Sequence, residues 1–246
     1  NNEISGIVVT TKLAQWLKKK KRKFSYRFLF LPETIGSIAY LSKNFKKLQK
    51  NVVAGYVLTC IGDNRNYSIL ESKQKNSLSD IAAKHILKKK KRAKIYDWSM
   101  RGSDERQYCS PRIDLPIASL MRSKYGEYKE YHTSLDQIGK VVTKRGLEGG
   151  YNFAKQVINC LEQQIFPKSV TFCEPFLTKK KIYPTISKKG SVNKTLSKKL
   201  EYLSYCDGKK SAMEISIKLN LSEKNSKEIL RFLKKNNLVK INKYPN

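Results

Sequence analysis

Two short, almost wholly apolar runs constrain this chain more than any other feature. The first, "YRFLFL" (26–31), is stopped by Pro32; the second, "VVAGYVLTCI" (52–61), ends at Gly62 and Asp63. A strand wetted on one face alternates apolar and polar residues, whereas a strand covered on both faces reads as a continuous apolar run. Both runs therefore predict buried strands. Between and around them lie stretches with apolar residues at helical spacing: Ile4 to Leu17, residues 35–48, and "SLSDIAAKHILKKKKR" (77–92) with its Ser/Asp start signal. A further long helix is predicted over about residues 149–164. Apolar strands alternating with helices predict an α/β domain, a mixed sheet flanked by helices.

At 246 residues the chain can hold one large domain, or a medium domain and a small one. The composition changes after Phe172, where prolines and lysines replace apolar pairs. The reading is an α/β domain over 1–172, a connector over 173–190 and a small domain over 191–246. In the last, three short helices precede "NNLVKINKY" (236–244), a turn into a β-ribbon; the third helix, residues 222–236, presents Ile229, Phe232 and Leu233 on one face. Three helices and a ribbon make a winged helix-turn-helix plan.

The net charge is +31, with 51 Lys and Arg against 20 Asp and Glu. Such a balance suits a nucleic-acid or anionic-membrane binder. It equally suits lysines decorating solvated helix faces. The runs at 18–23 and 88–92 follow helix-patterned stretches, where the helix dipole favours cations, and that supports the second reading. No run approaches the roughly 20 apolar residues that span a bilayer, and no signal peptide is visible. The five cysteines have no CxxC spacing and sit mostly in apolar settings, which predicts buried thiols in a reducing cytoplasm. The chain starts without Met inside what reads as a helix cap, so further sequence upstream is expected.

Several polar residues fall where an α/β fold places its chemistry, on loops beyond strand ends. Glu33 follows the first apolar run and precedes a helix; it is a capping acid, a general base or a metal ligand. Asp63 ends the second run and reads as a turn residue or a ligand. Asp104, Glu105 and Tyr108 lie in a long irregular stretch, either an ion-paired loop or a substrate-facing one. His132, in "YHTSLDQIG" (131–139), is one of only two histidines; the other, His85, reads as a surface or half-buried residue of a helix. One imidazole with several strand-end carboxylates suggests zinc, which needs about three protein ligands and an open position for water.

The order of the segments "NNEISGIVVTTKLAQWL", "RFLFLPETIGSIAYL", "GYVLTCIGD", "GSDERQYCSPRIDLP", "EYHTSLD" and "CEPFLTKKKIYPTIS" resembles the zinc aminopeptidase clan of phosphorylase/hydrolase-like fold. It is most similar to a bacterial branch whose aminopeptidase-like domain ends in a winged helix. The resemblance implies that His132 is the clan's C-terminal metal histidine and that Asp63 lies near its strand-end Asp ligand. Glu33 falls on the clan's Glu-Glu pair, here a single acid between Pro32 and Thr34. Asp104 falls on the acid of a loop lining the substrate pocket, with Glu105 and Tyr108 beside it. The clan's metal-bridging Asp corresponds to Asn2, a weak neutral ligand, and its other histidine lies upstream of this chain.

The same resemblance implies a cytoplasmic zinc-dependent hydrolase with Glu33 as base. Its substrate would be an amide of a small peptide or of an amidated or acylated sugar, in line with the branch's association with surface-polysaccharide biosynthesis. Two other readings remain open. A nucleic-acid or protein-contact role would act through the winged helix, with Lys224, Lys227, Arg231 and Lys234 facing phosphate; nucleic acid is the less favoured partner, because the helix lacks an evident base-reading set. A catalytically inactive scaffold would account for Asn2 and the single Glu33.

Overall fold

The computed structural model describes residues 1–177, 182 and 194–245. The chain separates into two compact units, Asn1–Glu162 and Gln163–Asn246. Residues 163–172, grouped with the α/β domain in the sequence reading, thus lie in the second unit. Most of the expected connector falls outside the described residues.

The first unit is built on a four-stranded sheet in the order β1-β4-β2-β3. Its strands are β1 (Gly55–Leu58), β2 (Tyr67–Leu70), β3 (Ala93–Tyr96) and β4 (Ile117–Met121). β1 runs parallel to β4 and β2 parallel to β3, while β2 and β4 are antiparallel, so the sheet is mixed. Along β4, Ile117 packs with Leu41, Tyr108 and Leu115, and the Ser119 hydroxyl donates to Glu105. Those two side chains share the face covered by α2 (Ile35–Asn51) and the short α4 (Glu105–Tyr108). The helix α5 (Lys144–Glu162) packs on both α1 (Ile4–Lys18) and α3 (Leu78–Leu87), α1 also against β1 and α3 against β2, β3 and β4.

Two close approaches explain glycines. A methyl group at Gly6 would collide with the Leu58 carbonyl oxygen, so α1 sits against β1 only because that position is bare. On α5, Gly146 and Gly150 bring the helix onto the carbonyls of Gly62 and Ile61 in the same way. The loop after β1 is thereby clamped between two helices.

Several sequence expectations hold at the level of single residues. α1 and α2 lie where the periodicity puts them, and α3 begins at a capping box formed by Ser77 and Asp80. Both lysine-rich runs follow helix ends, at Lys18 and Leu87. His85 is half-buried. Cys60, Cys109, Cys160 and Cys206 are buried and Cys173 is exposed.

The run 26–31 departs from expectation. It has no regular secondary structure and belongs to neither sheet, and Leu29, Phe30 and Leu31 are exposed. Its anchorage lies at its start, where the Lys23 and Phe24 N–H groups and the Tyr26 hydroxyl donate to the Glu162 carboxylate at the end of α5. The second run forms a strand over only four residues; Cys60 takes a left-handed conformation (φ 46°), and residues 60–63 continue as buried irregular chain.

The second unit pairs β5 (Phe166–Ser169) with β6 (Val239–Asn242) in an antiparallel ribbon. Three helices, α6 (Lys194–Ser204), α7 (Ala212–Lys218) and α8 (Glu223–Lys235), close a core around Tyr202, Leu203, Ile215, Leu230 and Leu233. Ile229 and Leu233 face that core, with Phe232 partly buried beside it, as the pattern predicts. The plan is a winged helix-turn-helix. Among the described residues, no helix is long and apolar enough to cross a membrane.

Candidate functional site

Asn2, ahead of α1, and His132, after β4, meet although 130 residues separate them: the amide nitrogen of Asn2 stands 3.2 Å from His132 Nε2. With the amide donating, Nε2 is the acceptor of this contact. The imidazole is exposed and stacks on Tyr131, ring centroids 3.9 Å apart at 14°. Tyr131 meets Tyr128 edge to face at 5.5 Å, and the Tyr128 hydroxyl donates to Asp136 over 2.8 Å. His132 itself holds a left-handed backbone (φ 55°), an uncommon conformation for a residue with a side chain.

Asn2 is fixed from behind. The Thr59 hydroxyl donates to its carbonyl over 3.0 Å, and the Cys60 thiol to its side-chain oxygen over 3.4 Å. Burial pushes the Cys60 thiol up to about 11, so it remains a neutral donor.

Glu33 is exposed at the turn into α2. The next residue, Thr34, adopts φ 61°, a strained value for a β-branched side chain, and its N–H donates to the Asp104 carboxylate over 2.8 Å. Asp104 thus holds the turn that carries Glu33. Burial raises the Asp104 carboxyl above its usual range; the Thr34 N–H and the Ser37 hydroxyl oppose the rise, and the charges of Glu33 and Glu105 add to it. Burial likewise raises the Tyr131 phenol, with Cys60, Glu33 and Glu3 contributing.

Three other expected site residues have structural work in this arrangement. Asp63 is buried, and its carboxylate accepts from the Asn1 amide, the Ser123 N–H and hydroxyl, and the Arg65 N–H, all within 3.0 Å. Those four bonds engage both oxygens. Glu105 is fully buried and accepts from the Gly102 and Ser103 N–H groups, the Tyr125 hydroxyl and the Ser119 hydroxyl. Tyr108 is buried in the α2–α4 core. All three side chains are buried within the first unit.

Sequence reasoning missed Tyr128, Tyr131, Asp136 and Cys60, which orient His132 and Asn2. The one available signal was aromatic density around the histidine, "YGEYKEYH" (125–132). As a zinc site the donor set falls short. Among the described residues, no group of three or more His, Cys, Asp or Glu side chains is placed to hold a metal ion. One imidazole beside a neutral amide does not supply the three protein ligands a catalytic zinc requires.

In the second unit Lys224, Lys227, Arg231 and Lys234 of α8 are exposed, and Lys227 pairs with Glu223.

Residues 1–164 match the family profile of a domain of unknown function (DUF4910), and residues 165–241 match a winged helix-turn-helix family. A Clostridium acetobutylicum protein named for polysaccharide biosynthesis with an aminopeptidase-like domain is 39% identical over 224 residues, which cover 89% of this chain and 50% of that protein. A crystal structure from Clostridium acetobutylicum, of a protein described as a peptidase, superposes with a TM-score of 0.71 at 34% identity, covering 98% of this chain and 54% of the other. The zinc aminopeptidase BSAP of Bacillus subtilis superposes at 0.55 with 16% identity over 64% of this chain and 41% of its own, a likeness of fold. The chain thus spans about half the length of the relatives it matches.

Proposed function

The chain belongs to the DUF4910 family and carries a winged helix-turn-helix behind that domain, and on this premise we propose that it supplies part of the site of an aminopeptidase-like hydrolase acting on an amide bond. The observation that supports the reading is the meeting of His132 with Asn2 and Tyr131, residues of separate loops, on an exposed surface. Glu33, exposed and held by the Asp104-bound turn, acts as the base that takes a proton from the attacking water. Asp104 is a positioning residue for that turn. The polysaccharide-biosynthesis name on the Clostridium relative supports an amidated or acylated sugar as substrate, beside a peptide.

The zinc named for the Bacillus neighbour supports His132 as the residue by which this chain would contribute to a metal site. The described residues do not complete one.

The experiment is to assay His132→Ala in the protein at its native length, against amino-acid anilides and N-acylated amino sugars, alongside metal content. Activity should fall at least a hundredfold with the far-ultraviolet spectrum unchanged, and bound zinc should fall with it. Undiminished turnover on whichever substrate the wild type cleaves would remove His132 from the site.

A further inference from the structure

Beyond the ends of β2 and β4, a cleft of about 330 Å³ opens in the first unit. Four cations line it: Arg65, Lys94, Lys124 and Lys129. Two acids share the lining, and both are engaged. Glu130 is gripped by the Arg65 guanidinium through two bonds of 2.8 and 2.9 Å. Glu127 accepts from the Tyr96 hydroxyl over 2.6 Å and stands 3.7 Å from Lys94.

Lys124 is the unusual member. The residue is 8% exposed, yet its ammonium donates to one protein acceptor, the Tyr125 carbonyl at 3.1 Å. It also lies over the ring faces of Tyr125 (4.4 Å) and Tyr96 (5.6 Å). An ammonium carries three donors, and a lysine is seldom buried without a paired acid. Aromatic faces compensate part of the lost hydration. A buried cation with no ion pair among the described residues, at the wall of a cleft with more cations than acids, has the electrostatics of an anion site. The volume is roughly ten times a water molecule's share of the liquid, room for a molecule larger than a bare oxyanion.

We infer that this cleft binds a small molecule carrying a phosphate or carboxylate group, with the Lys124 ammonium as its buried anchor and Lys94 and Lys129 at the rim. The inference stands apart from the hydrolytic reading. The two regions nevertheless touch, since Tyr128 lines the cleft and meets Tyr131, on which His132 stacks.

Calorimetric titration of the native-length protein at fixed ionic strength tests it, with glucose 6-phosphate, glucuronate and glucose as probes. One-to-one saturable uptake of at least one anion, and none of glucose, is expected; the preferred anion identifies the group. Lys124→Met should weaken that uptake at least tenfold, while Lys88→Gln, in an exposed lysine run, leaves it unchanged. Without ligand, Lys124→Met should melt no lower than wild type, because it removes a buried unpaired charge. Should that variant not fold, the exposed pair Lys94→Gln and Lys129→Gln should weaken uptake in its place. No saturable uptake, uptake at many sites, equal uptake of glucose, or undiminished affinity in the variants overturns the inference.

Discussion

In the first unit three carboxylates, Asp63, Asp80 and Glu105, are at most 1% exposed, whereas the buried polar side chains described in the second unit are Ser211, Ser216, Ser226 and Gln164. The three acids share one arrangement. Asp63 lies on the loop after β1, Asp80 follows the loop after β2, and Glu105 the loop after β3. Each accepts at least one backbone N–H from its loop: Arg65 for Asp63, Ser72 and Ser77 for Asp80, Gly102 and Ser103 for Glu105, and Asp80 also accepts from the hydroxyls of Ser72 and Ser77. In the second unit, Tyr202, Ser216 and Ser226 form a small hydroxyl chain inside an apolar core. A fold that presents chemistry on strand-end loops must hold those loops still, and buried acids accepting several bonds do so at the cost of desolvating a carboxylate. A winged helix-turn-helix can rest on packing alone.

Removing one such acid is the sharpest way to break that contrast. Glu105→Ala leaves two N–H groups and two hydroxyls without their acceptor, and should cost about 3–5 kcal/mol, a large share of a domain's stability. Thermal or urea unfolding followed in the first unit should register the loss; a change under about 1 kcal/mol would deny that the acid holds the loop.

For the second unit the matching test is Leu233→Ala, at a fully buried position, expected to cost about 2–4 kcal/mol through lost packing. Hydrogen exchange should show the loss in residues 194–242 and not in the sheet. Equal loosening of β1–β4 would mean that the units do not unfold separately.

The smallest effect probes a device common to both. Ser77 and Ser211 each open a helix with a full capping box, to Asp80 and Glu214. Ser211→Ala should cost about 1 kcal/mol, the usual worth of a cap. Ser77→Ala should cost more, because its hydroxyl also donates to the buried Asp80. Equal costs would show that the Asp80 network adds nothing to the cap.

The same physics decides how much of the molecule was legible in its sequence. Helix starts were readable because a cap is a local pattern, as at Ser77 and Ser222. The strands β2 and β3 were not, since four residues flanked by charge give no period to read. The run 26–31 carries a pattern of two-sided burial, and among the described residues its outer side chains have no cover. Asp63 and Glu105 looked like site residues because a loop acid that pins backbone and one that meets substrate are the same letter. What separates them is the number of N–H and hydroxyl groups folded around each carboxylate, which is tertiary information. The Tyr128–Tyr131–His132 stack and the contact with Asn2 join distant loops, and only the fold reveals them.

The central claim is that Glu33 is the base of a hydrolytic site shared with His132, and Glu33→Gln tests it most directly. The substitution keeps size and shape, and Glu33 is exposed, so stability should not change measurably. Turnover of the substrate cleaved by the native-length wild type should drop at least a hundredfold, with little change in KM. Turnover within a few-fold of wild type would contradict the account.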